Sequence, residues 1–161
     1  MASQLKNLNQ VREADFSMDG KRIGLVTAEW NEDITFAMRD AAIAYLLEKG
    51  VSEDNLVMRQ VPGSFELVFG AASLLEHSQV DGVIAIGCVI QGETPHFTFI
   101  SQAVASALAG LNARHVKPVV FGVLTTDTHE QARERSGGKH GNKGVEAAAT
   151  LLRMLAFGQS A

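Results

Sequence analysis

The sequence predicts an α/β fold of three layers, a four-stranded parallel sheet flanked by helices on both faces. Three observations carry this. Short apolar runs alternate with helix-patterned segments in the order β-α-β-α-β-α-β-α-α. The strand-like runs are joined through helices, as parallel crossovers require. The 161 residues, 46% hydrophobic and 20% charged, suffice for one domain with a sizeable core.

The elements follow in order. Residues 1–20 are polar and unpatterned and read as a loose arm, in which residues 11–16 suit a strand added to a neighbour. Residues 21–161 read as a single domain. Residues 22–27 predict a buried first strand. Residues 33–49 have helical spacing, and Gly50 stops them. Residues 55–61 predict the second strand, after which Pro62 and Gly63 turn the chain into a helix reaching His77. The apolar run 82–90 is the third strand. Thr94 is placed to cap a helix over 95–113, with Pro95 at its first position, where an N–H is not needed. Residues 118–124 give the fourth strand. Thr128 and Gln131 have capping-box spacing for a short helix ending at about Arg135. Residues 136–141 form a Gly-rich loop, and Asn142 caps a last helix reaching about Phe157.

Bulk properties exclude several classes. A net charge of -4 provides no long-range attraction for nucleic acid. Cys88 is the only cysteine, so neither an intrachain disulfide nor a cysteine-based zinc cluster forms. The first twenty residues lack the order of a signal peptide, and no apolar stretch approaches the roughly 20 residues that span a bilayer. A soluble cytoplasmic protein without a membrane partner is the expectation.

In such sheets ligands bind outside the carboxyl ends of the strands. That rule gathers four segments at one rim: Glu29, Trp30 and Asn31; residues 62–66; residues 92–96; and residues 125–128. The stretch from Cys88 to Phe97 is the most informative, because a strand ends in a Gly turn that opens a helix. Main-chain N–H groups at a helix start attract anions, and His96 stands in the first turn with an imidazole that titrates near neutrality. These residues alone leave phosphate handling and plain helix capping open. Trp30 is either a stacking face or a cap over the sheet edge; Ser64 and Glu66 are either polyol ligands or ordinary turn residues. Arg133, Arg135, Lys139 and Lys143 are anion ligands or a solvated face. His77, His115, His129 and His140 look solvated, and no HExxH spacing occurs. The glycine-rich run 137–144 fails the G-x-x-x-x-G-K-[ST] pattern and no G-x-G-x-x-G follows the first strand, which argues against nucleotide triphosphatases and ordinary dinucleotide sites. Cys88 lies inside an apolar strand, where a thiol is inert. Small residues crowd two helical runs, 101–110 and 145–149, and serve either helix-on-sheet packing or contacts between subunits.

Taken together, Trp30-Asn31, Pro62-Gly63-Ser64-Phe65-Glu66, Gly92-Glu93-Thr94-Pro95-His96-Phe97, Phe121-Gly122-Val123-Leu124-Thr125-Thr126 and the run from Glu134-Arg135 to Gly141-Asn142-Lys143-Gly144 resemble the 6,7-dimethyl-8-ribityllumazine synthases. The resemblance covers about residues 23–155. It implies a flavodoxin-like fold and a cofactor-free, metal-free condensation of 5-amino-6-(D-ribitylamino)uracil with 3,4-dihydroxy-2-butanone 4-phosphate, the penultimate step of riboflavin biosynthesis. It implies His96 as the acid–base group. Trp30, Asn31, Gly63, Ser64, Phe65, Glu66, Cys88, Val89, Ile90, Phe121 and Lys143 would hold the pyrimidine and its ribityl chain. Gly92, Glu93, Thr94 and Arg135 would hold the phosphate, with Glu146 orienting Arg135. It further implies a homopentamer with the site between subunits, to which Phe121, Arg135 and Lys143 come from the neighbour. Some members assemble twelve pentamers into an icosahedral shell, and the turn 135–142 carries no insertion of the kind that blocks this. Gln91, where an Arg is frequent, and His140, in place of a smaller residue, depart from the pattern. Three rivals are weaker: an archaeal-type riboflavin synthase would need no phosphate site, a flavin-storage shell would not need the whole phosphate constellation, and a signalling module would need an acidic pocket that Glu29 and Asp33 imitate poorly.

Overall fold

The computed structural model describes residues 17–159. The predicted arm therefore lies mostly outside the described residues; of its last part, Met18 is buried against the core. Four parallel strands, β1 (Ile23–Ala28), β2 (Leu56–Val61), β3 (Gly82–Ile90) and β4 (Val119–Thr126), form one sheet in the order β2-β1-β3-β4. Five helices join them: α1 (Glu32–Glu48), α2 (Leu67–His77), α3 (His96–His115), α4 (His129–Arg135) and α5 (Lys143–Gln159).

The central strands read as continuous apolar runs because both faces of the sheet are covered. On one face Ile23, Leu25, Ile84 and Ile86 meet Ile34, Met38 and Leu46 of α1 and Ala148, Leu151 and Leu152 of α5. On the other, Val26, Val83 and Ala85 meet Leu67, Ala71 and Leu74 of α2 and Val104 and Leu108 of α3. The predicted three layers are thus present. Gly144 lets α5 approach α1 closely, since a Cβ there would enter the Met38 carbonyl. Asn112 secures α3 to the sheet by accepting from Val119 N at 2.8 Å and donating to Val119 O at 3.0 Å, as a neighbouring strand would.

Several boundaries differ from the sequence reading. The turn at 62–66 is longer than predicted, and α2 begins only at Leu67. β4 continues to Thr126 because its pairing with β3 persists to Ile90. Pro95, not Thr94, precedes α3, and no side chain caps it: the Pro95 carbonyl receives Thr98 N at 3.0 Å, one residue later than a Thr94 cap requires. The Thr128 hydroxyl does accept from Gln131 N at 3.2 Å. The expected Gly-rich loop is a small antiparallel hairpin, β5 (Ser136–Gly138) with β6 (Gly141–Asn142), whose turns use positive φ at Gly137 and Gly141. The Asn142 carboxamide caps α5 by accepting from Gly144 N at 2.8 Å.

Candidate active site

β1 has neighbours on both sides, so the crevice between the ends of β1 and β3 is the topological switch point of the sheet. β1 stops pairing with β3 at Thr27 opposite Ile86, whereas β3 runs on to Ile90. The Asn31 side chain fills this gap, donating from Nδ2 to the Cys88 carbonyl at 3.1 Å. To do so Asn31 adopts a left-handed backbone, φ 61° and ψ 48°, a conformation Asn tolerates better than most residues. Glu29 N and Trp30 N bind the carbonyls of Val61 and Pro62 at 2.8 and 3.1 Å, which ties the turn after β2 to the same rim. Trp30 itself is 73% exposed.

Within that second turn, Ser64 is buried and its hydroxyl has no partner among the described residues. It packs on Gly87, where a Cβ would lie 2.7 Å from Ser64 Oγ. The Glu66 carboxylate folds toward Gly63, 3.1 Å from where a Cβ would sit, and remains exposed, as does Phe65. The turn after β2 thus carries a buried hydroxyl and an exposed carboxylate.

The third segment carries the strongest anion chemistry. Gln91 N makes the last sheet bond, to Thr126 O at 2.8 Å. Beyond it the main-chain N–H groups of Gly92, Glu93, Thr94, His96 and Phe97 have no acceptor among the described residues. The 20-residue helix α3 starts there and adds the positive end of its dipole. His96 is exposed and without a partner among the described residues, so its imidazole is available to a bound molecule. Val89 and Ile90 are half-buried beside it. Cys88 is different: burial, reinforced by the charge of Asp33, pushes its thiol up to about 12, which removes it as a nucleophile at neutral pH.

The remaining predicted residues lie elsewhere. Phe121 is partly exposed on edge strand β4. Arg135, at the end of α4, donates to the Gln131 carbonyl of its own helix at 2.9 Å. Lys143 Nζ lies 2.6 Å from Glu146 Oε2, so within the chain these two side chains pair. No hydrogen bond or ion pair among the described residues joins Phe121, Arg135 or Lys143 to the rim.

The sequence reading also missed several side-chain pairs. Three of the four histidines expected to be solvated face carboxylates: His129 to Asp33 at 2.8 Å, His115 to Glu76 at 3.4 Å and His140 to Glu134 at 3.7 Å. Each joins residues distant along the chain or across a turn, a relation that spacing alone does not reveal. An open cleft of about 630 Å³ lies between α4, the hairpin and the start of α1, lined by Asp33, Arg133, Glu134 and Lys139 among others. It is separate from the free N–H groups of 92–97.

A protein-family model described as 6,7-dimethyl-8-ribityllumazine synthase matches residues 20–159. A 6,7-dimethyl-8-ribityllumazine synthase of Porphyromonas gingivalis is 56% identical over 133 residues, covering 83% of each chain. One of Cytophaga hutchinsonii is 49% identical over 156 residues, covering 97% of this chain and 98% of the relative. One of Parabacteroides distasonis is 44% identical over 161 residues, covering 98% and 99%.

Proposed function

The chain belongs to the 6,7-dimethyl-8-ribityllumazine synthase family, and we propose that it joins 5-amino-6-(D-ribitylamino)uracil to 3,4-dihydroxy-2-butanone 4-phosphate at the rim built by the ends of β1, β2 and β3. It is an enzyme, a transferase with lumazine synthase activity in riboflavin biosynthesis. The observation that carries the location is the set of main-chain N–H groups at Gly92, Glu93, Thr94, His96 and Phe97 that, like the His96 side chain, have no partner among the described residues.

In this reading Trp30 stacks on the pyrimidine, whose ring also meets Cys88, Val89 and Ile90. Asn31, Gly63, Ser64, Phe65 and Glu66 hold the ribityl chain, the free hydroxyl of Ser64 supporting its part. Gly92, Glu93 and Thr94 bind the phosphate through the main chain. The ring amine attacks the ketone and forms an imine with loss of water. A proton leaves the adjacent carbon, phosphate departs, the enol so formed becomes a ketone, and the second amine closes the ring on that ketone with loss of a second water. His96 moves protons in these steps. Holding two reactants in place supplies much of the acceleration.

Arg135, Phe121 and Lys143 complete this site from a neighbouring subunit, with Arg135 on the phosphate, where a guanidinium binds two oxygens at once. The assembly is a homopentamer, and the short turn after Arg135 favours the sixty-subunit shell. Two features support association. Large apolar side chains stand exposed, among them Phe65 at 56%, Phe69 at 78% and Phe99 at 67%. The outer face of α3 is small, with Ala105, Ala109 and Gly110 exposed. Sedimentation that finds only a pentamer overturns the shell. The location is cytoplasmic in this reading; among the described residues no helix is long and apolar enough to cross a membrane.

The test of the whole reading is lumazine formation from both substrates, followed by absorbance, with matching phosphate release. Silence with the lumazine still bound would instead favour a storage role.

A further inference from the structure

We propose that Glu134 is a positioning residue: it fastens the β5–β6 hairpin to the end of α4 and thereby fixes where Arg135 leaves the helix. The inference rests on Arg135 being a phosphate ligand.

α4 has seven residues, too few to hold its own last turn, so its end depends on tertiary anchors. The hairpin provides them. The Ser136 hydroxyl donates to the Arg133 carbonyl at 3.2 Å, and His140 N donates to the Glu134 carbonyl at 2.9 Å. Two carbonyls that a helix end leaves unsatisfied are thus bonded by the following hairpin. Gly138 lies against the helix backbone; a Cβ there would stand 2.7 Å from Glu134 Cα. The Glu134 carboxylate then holds the hairpin tip on both sides. Oε1 lies 2.6 Å from Lys139 Nζ, and Oε2 lies 3.7 Å from His140 Nε2.

The charges around this carboxylate explain why it is needed there. Arg133, Arg135 and Lys139 are cationic and close in sequence or space, while Asp33 of α1 and Glu130 share the cleft. The hydrogen bond from Lys139, with the charges of Lys139, His140 and Arg135, holds the Glu134 carboxyl below the usual carboxylate range despite a partial desolvation that works against it. It is therefore ionised whenever the enzyme works near neutrality. With the carboxylate gone, the tip is free to leave and the last turn of α4 to fray, and Arg135 samples orientations that do not meet a phosphate. The effect falls on one substrate, because Lys143, the proposed pyrimidine ligand that follows the hairpin, is anchored separately: Asn142 Nδ2 donates to the Ala37 and Ser136 carbonyls at 3.3 and 2.9 Å, and Lys143 Nζ lies 2.6 Å from Glu146 Oε2.

The experiment is steady-state kinetics of the full chain with both substrates, plus inhibition by inorganic phosphate, for Glu134→Gln, Lys139→Met and Arg135→Lys. Glu134→Gln and Lys139→Met are expected to raise the KM for the ketone phosphate about threefold to fivefold, the range an exposed ion pair can command. Phosphate inhibition should weaken in parallel, and the KM for the pyrimidine should hold. Glu134→Asp should recover part of the loss. Lys139 is a well exposed side chain, so its variant folds even if Glu134→Gln does not. If Arg135→Lys weakens the ketone phosphate while Glu134→Gln and Lys139→Met leave it unchanged, the positioning role is wrong and the phosphate ligand stands. If Arg135→Lys also changes nothing, the assignment of Arg135 fails and this inference with it. An equal rise in both KM values would mark Glu134 as merely structural and overturn the proposal.

Discussion

Replacing Asn31 separates two forces that hold the switch point together. Its Nδ2 donates to the Cys88 carbonyl at 3.1 Å in a partly buried setting, a bond worth about 1 kcal/mol. Its backbone stands at φ 61° and ψ 48°, where an alanine costs roughly 1–2 kcal/mol. Asn31→Ala loses both and should destabilise the fold by about 2–3 kcal/mol. Asn31→Gly loses the bond but accepts the left-handed backbone; against that, it frees the unfolded chain by about 0.5–1 kcal/mol. The net is about 1.5–2 kcal/mol, so glycine should be the milder variant although it deletes more of the side chain. The main-chain bonds from Ile34 N and Thr35 N to the Asn31 carbonyl, at 2.9 and 3.0 Å, persist in both variants. Urea unfolding at one fixed protein concentration reads the difference, because association would otherwise shift the midpoint. A glycine variant as unstable as the alanine one would refute the backbone argument. An alanine variant within about 0.5 kcal/mol of the parent would refute the hydrogen bond as well.

Three further outcomes are expected. His96→Ala slows lumazine formation on the order of 10²-fold or more but leaves measurable turnover, since positioning survives; total loss with both substrates still bound contradicts this. Cys88 resists alkylation at pH 8 in the folded protein and reacts readily in denaturant. Its thiol is raised from 9.0 to about 12 on folding, so the unfolded chain releases the proton first. That linkage contribution is complete below about pH 9 and is lost progressively as pH rises toward 12; denaturation midpoints flat across this window would refute the burial. Gly144→Ala drives a methyl into the Met38 carbonyl, forces α1 and α5 apart and costs about 3 kcal/mol, read as a lowered unfolding midpoint; an unchanged midpoint refutes the close crossing.

What the sequence disclosed follows from which interactions are local. The strands and helices were legible because both sheet faces are covered, so β1 and β3 read as unbroken apolar runs. The rim was legible because Gly, Pro and Asn punctuate the strand ends, and punctuation states where a main chain has donors to spare. Thr94 misled for a related reason: a residue fit to cap stands before Pro95, but the register of α3 is decided by which carbonyl the helix uses first, and that choice is tertiary.

Side-chain pairing across elements had no such signal. Nothing in a spacing rule says that His129 meets Asp33 or that Asn31 reaches Cys88, because the sheet order β2-β1-β3-β4 decides both. Glu134 and Lys139 are close enough in sequence to have been paired, yet the hairpin between them was read as loop, and a loop places no side chain. The same limit explains the unassigned half of the site. The rim presents main-chain donors and an imidazole without a partner among the described residues, but its proposed cationic complement, Arg135, is bonded to the Gln131 carbonyl at 2.9 Å. One bond from Nη1 leaves the other donors of the guanidinium free for an anion while it fixes the direction in which the side chain leaves the helix. If Arg135 is the phosphate ligand proposed above, it meets its anion only when the end of α4 is firmly held and another subunit presents the rim to it.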